Sequence, residues 1–224
     1  MSVILHIETA TKNCSIAISR SGAMLALKEH YSEQFSHSEQ LHGFIQEVLK
    51  EAQIEMSVLD AVAVSKGPGS FTGLRIGVAA AKGICFALDL PLIAVNSLQI
   101  LSENYNESNK ALLFPMFDAR RMEVYVMVLN EKKQIVKPTF AEVLSPSSFN
   151  EFPTDIQWVF MGEGAEKCKE VLDASHIEYR SEIQHPSAAE MVSLAWSAFK
   201  DKKFEDLAYF EPFYLKNFYS KAKK

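Results

Sequence analysis

Acidic and hydroxyl side chains stand directly after the first apolar segment of each half of the chain. Glu8, Thr9 and Thr11 follow the first such segment, and Asp118 follows its counterpart beyond the middle of the sequence. An acid beside hydroxyls at a strand end is an arrangement with which nucleotide-binding folds hold a metal-bound phosphate. The competing interpretation is a turn stabilised by short polar side chains. From these residues alone, both interpretations stay open.

A glycine-rich turn joins an apolar, strand-like segment to an alanine-rich helix. The segment runs from Leu59 to Val64, and we expect the helix over roughly residues 71–88. Gly67 and Gly69 allow backbone angles that other residues avoid, and Ser70 is placed to cap the helix. Such a turn is typical of an anion site or of a close-packing site. Its spacing matches neither the Walker pattern nor the dinucleotide fingerprint, so both of those loops are excluded.

The spacing of histidine and cysteine argues against a metal site. His37 and His42 are five residues apart, whereas a helical metal pair needs a separation of four so that both imidazoles share a face. Cys14, Cys85 and Cys168 lie far apart and lack the paired spacing of a zinc or redox site. We therefore expect no bound metal and three buried, reduced thiols.

The first half of the chain reads as three strands followed by alternating helices and strands. The apolar segment from Val3 to Ile7, the alternating residues after it and the segment from Ala23 to Lys28 predict a meander. Apolar residues at helical spacing from Leu41 to Ala52 predict a helix, and Ser36 with Glu39 has the pattern of a capping box. With the glycine-rich turn and its helix, the order is βββ-α-β-α-β.

The second half repeats this plan. Predicted strands lie at Ala111–Phe117, Glu123–Leu129, Gln134–Phe140 and Trp158–Met161, and predicted helices at Ser145–Asn150, Glu163–Leu172 and Ala188–Phe199. In each half the first strand ends in an acid and turns directly into the second. Duplicated βββαβα halves are the architecture of actin, hexokinase and Hsp70-like proteins (the ASKHA, RNase H-like class). The predicted fold is therefore α/β and two-lobed, with the nucleotide site of that class between the lobes.

The predicted lobes are residues 1–103 and 110–224, joined by a polar linker at about 104–109. We expect the C-terminal segment to pack back on the N-terminal lobe. This segment mixes aromatic residues such as Tyr214 with lysines such as Lys216, and interleaving of this kind can bind RNA. Docking of the aromatic rings on the fold is the alternative that we favour.

Small residues recur along one face of the alanine-rich helix. Gly77, Ala81 and Cys85 are four apart, and Gly43 lies in the preceding helix. Faces of this kind permit close approach of helices, so the two helices could form a symmetric or pseudo-symmetric four-helix contact with a second protein. Alternatively, both helices simply cover their own sheet.

Composition describes an ordinary globular protein. The net charge of −5 argues against a stand-alone surface for nucleic acid in general, although a local patch could contact RNA inside a complex. The first residues have neither a basic region nor a long apolar core, and no run of 18 apolar residues occurs. We expect a cytoplasmic protein that does not contact membranes.

Several blocks of the sequence resemble the TsaB (YeaZ) family, a bacterial relative of the TsaD proteins. The resemblance extends over nearly the whole chain and is strongest over residues 1–125. The longest block, eleven residues of the glycine-rich turn and helix, is highly specific, and the other blocks follow in the order of the family. The blocks are Gly67–Gly77, Ile7–Thr11, His37–Leu41, Asp118–Tyr125 and Pro212–Lys216.

This resemblance implies a subunit of the machinery that installs threonylcarbamoyl on the adenosine beside the anticodon of certain tRNAs. TsaB-like proteins are required, non-catalytic partners of TsaD, which carries the metal, and they recruit TsaE, which cleaves ATP. The family usually has aspartate where Glu8 stands, and the two-histidine motif of TsaD is missing here. The resemblance thus implies no required cofactor, with residual binding of ATP or ADP at Glu8, Thr9, Thr11 and Asp118.

The implied partners are a TsaD-type protein, a TsaE-type ATPase, a second copy of the chain in isolation, and tRNA only within the complex. We expect the contact surface on the two helices and the glycine-rich turn. Its expected residues are Leu41, Gly43, Phe44, Gly67, Gly69, Ser70, Thr72, Gly73, Arg75, Gly77, Ala81 and Cys85. Two alternatives remain: an independent ATPase or small-molecule kinase that uses Glu8 and Asp118, and a metallopeptidase that would need a bound metal.

Overall fold

The computed structural model describes residues 2–32, 37–107 and 109–216. Ten strands and five α-helices alternate along these residues, with one short 3₁₀ helix at Met56–Val58. The strands are β1 Val3–Glu8, β2 Asn13–Arg20, β3 Ala23–Tyr31, β4 Ala61–Gly67, β5 Leu92–Asn96, β6 Ala111–Asp118, β7 Glu123–Asn130, β8 Ile135–Val143, β9 Gln157–Met161 and β10 Ile177–Arg180. The helices are α1 His37–Glu51, α2 Phe71–Leu88, α3 Ser97–Ser102, α4 Ala165–Cys168 and α5 Ala188–Lys200.

The strands form two five-stranded sheets of identical topology. The orders are β3-β2-β1-β4-β5 and β8-β7-β6-β9-β10. In each sheet the first three strands pair antiparallel. The fourth strand pairs in parallel with the first, and the fifth pairs in parallel with the fourth. The predicted two-lobe α/β fold of the ASKHA class is thus confirmed. The exact lobe boundaries and the linker at 104–109 stay predictions.

Several predicted elements differ from the structure in length or type. β4 ends at Gly67 rather than at Val64, because Ser65 and Gly67 still pair with β5. Residues 146–150 form a turn where a helix was predicted, and α4 covers only four residues of its predicted range. The short α3, the 3₁₀ helix and β10 were not predicted. Ser36, the predicted helix cap, lies outside the described residues.

Each half of the chain contributes its last helix to the other half's sheet. α5 packs on β1, β2 and β5, whereas α3 packs on β6 and β7. Met191 of α5 joins a core cluster with Ile4 of β1, and Leu98 of α3 joins one with Leu113 of β6. Because each sheet is covered partly by a helix from the other half, the two halves share their hydrophobic cores.

The first turn of α2 lies directly on the turn between β1 and β2. Ser70 accepts a hydrogen bond from the Gly73 amide as the helix cap, and its own amide donates to the Ala10 carbonyl at 2.7 Å. The Thr9 hydroxyl donates to the Gly73 carbonyl at 2.9 Å. A Cβ atom at Gly73 would collide with the Thr9 carbonyl oxygen, so this close approach requires glycine.

By length and composition alone, α2 could span a membrane, as the core helices of soluble proteins also could. One face of α2 packs against β4 and carries buried Leu74 and Val78. Its last turn ends at Asp89, which has a positive φ of 53° and closes the helix with a hydrogen bond to the Cys85 carbonyl.

The C-terminal segment from residue 205 to residue 216 runs along the first sheet and α2. Glu205 bridges to Leu92 of β5, and the Phe213 amide donates to the Lys66 carbonyl at 2.7 Å. Lys82 of α2 donates to the carbonyl of Phe210 at 3.0 Å. These main-chain contacts hold the segment against the end of β4 and the side of α2.

Two glycines of α2 provide a test of this packing. We expect Gly73→Ala to lower the free energy of unfolding by about 1–3 kcal/mol, the usual cost of overpacking, because the new methyl group meets a backbone carbonyl. A Cβ atom at Gly83 meets nothing within 4 Å. Gly83→Ala should therefore raise the free energy of unfolding by about 0.5–1 kcal/mol through helix propensity. Urea unfolding of both variants measures the difference. Equal stability of the two would contradict the close approach of α2 to the β1–β2 turn.

Candidate functional site

Glu8 points into the protein rather than toward a ligand. Its side chain is fully buried at the end of β1, and Oε1 accepts a hydrogen bond from the Ala10 amide at 2.6 Å. Burial raises the pKa of Glu8 to about 8, against the hydrogen bonds from Ala10 and Ser65, which lower it. The carboxyl group is therefore largely protonated at neutral pH. A neutral acid is a poor ligand for the metal ion that accompanies a bound phosphate.

The other polar groups of the β1–β2 turn are also engaged by the chain itself. The Thr9 hydroxyl is committed to α2, and the Thr11 hydroxyl accepts from the Asn13 amide at 3.3 Å. His37, at the start of α1, has its Nε2 atom 2.8 Å from the Thr11 carbonyl. The starts of α1 and α2 thus contact the turn from two sides.

Asp118 occupies the matching turn of the second half and is exposed. Its Oδ1 atom accepts hydrogen bonds from the Arg120 amide and from Lys167 of α4, both at 2.5 Å. Arg120 and Arg121 have positive φ values of 66° and 52°, a backbone conformation that is unfavourable for arginine. Asp118 thereby closes a tight turn and pairs with a lysine, and in the described part of the chain it belongs to no group of side chains that could hold a metal.

Among the described residues, no group of three histidine, cysteine or acidic side chains could hold a metal ion. His37 is buried and His42 is exposed. The three cysteines are buried and free, and burial raises the pKa of Cys14 to about 12 and that of Cys85 to about 11. At neutral pH these thiols are therefore not nucleophilic.

A polar layer beneath α5 was missed at the sequence level. Ser15 of β2 accepts a hydrogen bond from the Ala188 amide at 2.9 Å, and its hydroxyl lies 3.0 Å from that of Ser187, the α5 cap. His6 of β1 is fully buried with Nε2 2.7 Å from the Ser19 hydroxyl, and burial lowers its pKa to about 3. The alternation of small polar residues in β2 was the available signal, since it marks a face that cannot pack on an apolar helix alone.

The small-residue row of α2 faces inward, so this part of the expected contact surface needs correction. Gly73, Gly77, Ala81 and Cys85 are all buried, and Ala81 has no exposed surface. A Cβ atom at Gly77 would collide with the Thr9 hydroxyl. These residues let α2 approach its own sheet, which is the alternative that the sequence left open.

On α1, Leu41 belongs to the buried core and Phe44 packs partly against it, whereas Gly43 is exposed and has open space around it. In the glycine-rich turn, Gly67 is buried beneath the Phe213 carbonyl, and Gly69 packs on Ala10. Ser70 caps α2, so only Thr72 and Arg75 of the expected loop residues are exposed.

The opposite face of α2 is apolar and open. Ala79, Gly83, Phe86 and Ala87 are exposed, with the Phe86 side chain 83% exposed, and Ile76 is partly exposed beside them. At 100° per residue these five positions fall on one side of the helix. Because apolar and small residues occur on both the covered and the open side of α2, its sequence could not tell which side would be covered. We call these five residues the outer face of α2.

The buried carboxyl group of Glu8 makes stability depend on pH. Its pKa is raised from 4.5 to about 8, so between these values the unfolded chain releases a proton that the folded chain keeps, and the free energy of unfolding falls as pH rises. We compare pH 6.5 and pH 8.0, because lowered histidine pKa values act mainly below 6.5. Glu8→Gln removes this titration. Between pH 6.5 and pH 8.0 the free energy of unfolding of the variant should therefore fall by about 1–2 kcal/mol less than that of the natural chain.

Urea unfolding at the two pH values measures this difference, and Glu166→Gln, at an exposed position of α4, is the matched control. The control should lose as much stability as the natural chain. If Glu8→Gln also loses as much, Glu8 is ionised in the folded protein and the account of its environment is wrong.

Comparison with known proteins places the chain among relatives of similar length. It is 30% identical over 221 residues to the tRNA threonylcarbamoyladenosine biosynthesis protein TsaB of Escherichia coli K12, covering 96% of this chain and 94% of that protein. It is 34% identical over 134 residues to the protein of the same name from Bacillus subtilis, covering 60% of this chain and 58% of that one.

Solved structures and a family profile agree with these relatives. YeaZ from Pseudomonas aeruginosa superposes with a TM-score of 0.83 at 27% identity, covering 96% of this chain and all of that one. The profile described as TsaD, tRNA N6-adenosine threonylcarbamoyltransferase, matches residues 33–223. The chain therefore belongs to the TsaB (YeaZ) family of tRNA threonylcarbamoyladenosine biosynthesis proteins, within the wider TsaD family.

Proposed function

We propose that this chain is a non-catalytic scaffold subunit in threonylcarbamoyladenosine modification of tRNA, and that it pairs with a TsaD-type catalytic subunit. The names of its relatives support the pathway. The observation that carries the scaffold role is the outer face of α2. This face is an uncharged row of apolar and small side chains on the surface of an otherwise charged protein.

An exposed apolar row on a helix favours burial against another helix. The row contains Gly83 and two alanines, so a partner helix can approach closely, and Phe86 at its end supplies a large side chain to bury. Gly43 of α1, which also has open space beside it, lies on the neighbouring helix. Two helices from each subunit would then form a four-helix contact, as the pseudo-symmetry of the TsaB and TsaD folds allows.

The proposed lack of catalysis is supported by the two turns that would hold a nucleotide. Glu8 is neutral and buried, Thr9 is bonded to α2, and Asp118 is paired with Lys167. An ATPase or kinase would need these groups free to bind a magnesium-bound phosphate. We therefore propose that chemistry belongs to the TsaD-type partner, and that any residual binding of ATP or ADP by this chain is weak.

In this scheme the TsaE-type ATPase binds the assembled pair, and tRNA binds only to the complex. When the TsaD-type subunit is absent, the same outer face would be buried against the outer face of a second copy of the chain. A two-fold axis brings the same surface of two copies into contact. The homodimer and the catalytic pair should therefore exclude each other.

The substitution Gly83→Trp tests the proposed contact. A Cβ atom at Gly83 meets nothing within 4 Å, so the variant should fold and be at least as stable to heat as the natural chain. The indole would stand between the two subunits, so pairing with the TsaD-type protein should weaken at least a hundredfold in sedimentation or pull-down. Ala81→Trp is unsuitable, because Ala81 is buried and the change would disturb the core.

Ser197→Trp is the matched control, because Ser197 is an exposed helical residue on α5, away from α2. It should leave pairing unchanged. Full pairing by a folded Gly83→Trp variant would exclude the outer face of α2 as the contact.

The ATPase alternative predicts turnover by the isolated chain. We expect no magnesium-dependent hydrolysis of ATP above the buffer rate. The rates of phosphate release by Glu8→Gln and Asp118→Asn should equal that of the natural chain. A phosphate-release assay with each protein alone measures this. Robust turnover that disappears in either variant would establish an independent enzyme and overturn the scaffold proposal.

A further inference from the structure

A second surface feature remains beside the proposed contact, where the C-terminal segment crosses from one half to the other. Tyr214 of that segment lies against the start of α2, with its ring 5.1 Å from that of Phe71 and its hydroxyl 3.3 Å from Arg75 Nε. Two residues further on, Lys216 reaches Glu123 at the start of β7 at 2.6 Å. The segment thus joins the α2 N-terminus to the β6–β7 turn.

Two carboxylates of this region are paired with lysines. Glu123 is paired with Lys216, and Asp118 is paired with Lys167. Arg120 and Arg121 are exposed in the β6–β7 turn, and within the described part of the chain no carboxylate pairs with either of them. Their guanidinium groups are therefore a local surplus of positive charge on a chain whose net charge is −5.

The same region exposes aromatic surface. Phe213 and Tyr214 are 39% and 37% exposed, and the Arg75 guanidinium lies over the Phe71 ring at 4.0 Å from its centre. Arginine recognises phosphate through paired N–H donors, and aromatic rings stack on unpaired bases. Lys216, two residues beyond Tyr214, pairs with Glu123, two residues beyond Arg121, so the arginines and the rings belong to one surface region. Such a region fits a single-stranded RNA better than an acidic protein surface, which has no use for the stacking platform.

The turn also has a structural reason to hold its arginines outward. The Asp118 carboxylate binds the Arg120 amide, and Lys167 donates to the Arg121 carbonyl as well as to Asp118. Both arginines are thereby kept in the left-handed backbone region. The backbone is fixed by α4, while the guanidinium groups are left for a ligand.

We propose that Arg120, Arg121 and the Phe213–Tyr214 pair form an RNA-binding surface that contacts a single-stranded loop of the tRNA when this chain is part of the modification complex. This proposal rests on the proposed function, because tRNA is expected to bind the assembled pair. It assigns to the scaffold subunit a direct share in holding the substrate, separate from the outer face of α2.

The test compares two double substitutions at opposite ends of the same strand pair. Arg120→Asn/Arg121→Asn removes both charges and keeps the turn, since asparagine tolerates positive φ. Lys110→Asn/Lys132→Asn removes two exposed charges at the far end, because Leu112 pairs with Asn130 whereas Asp118 pairs with Val124. The two variants therefore have equal net charge.

Each variant is assembled with the TsaD-type subunit, and binding of an unmodified tRNA transcript is measured over a series of salt concentrations. We expect the arginine variant to bind about tenfold more weakly and the slope of log K against log salt to shrink by about 1.5, as for two lost phosphate contacts. The lysine variant should match the natural complex. Tyr214→Leu should weaken binding about fivefold without changing the slope, because it removes an aromatic ring and no charge.

The outcomes separate this proposal from the proposed function. If the natural chain does not pair with the TsaD-type protein, the proposed function fails, and the RNA surface fails with it. If pairing is intact and both double variants bind tRNA equally well or equally poorly, the RNA surface is wrong and the scaffold role stands. Loss of pairing in the arginine variant alone would show that this surface binds a protein, and it would also overturn the proposal.

Discussion

The close approach of α2 to the β1–β2 turn is the constraint on which the rest of the structure depends. Gly73 and Gly77 let the helix lie against Thr9, and the Ser70 cap ties the helix start to Ala10. This contact occupies the Thr9 hydroxyl and the Ser70 amide, which are donors of the kind that a phosphate-binding turn presents. It also fixes which face of α2 is buried and leaves the opposite apolar face on the surface.

One helix therefore links two properties of this family member. Its inner face packs on the β1–β2 turn, and its outer face is the apolar surface that we propose for the partner. A protein that kept a working site would need a looser helix start and an ionised acid at position 8, whereas burial holds Glu8 neutral. The proposed lack of catalysis and the proposed docking role of α2 thus depend on the same packing.

Much of the fold could be predicted from the sequence. The spacing of apolar residues and the acidic residue at the end of the first strand recur in both halves of the chain. The side of α2 that faces outward could not, because Gly77, Ala81 and Phe86 all fit an apolar helix and only tertiary contacts separate them. β10 was missed because four residues are too few to show the alternation of apolar and polar side chains that identifies a strand. The proposed arginine surface was not foreseen, because the contact that joins its parts, Lys216 with Glu123, spans 93 positions and no local pattern indicates it.

Thiol labelling of Ala79→Cys tests the central claim, burial of the outer face of α2 by a TsaD-type partner, most directly. The three native cysteines are buried, so a maleimide should react only at the new thiol. We predict fast labelling at a dilution where the homodimer has dissociated into monomers and strong protection once the partner is bound at that dilution, with a Lys132→Cys control labelled equally in both states. Equal labelling of Ala79→Cys with and without bound partner would contradict the account.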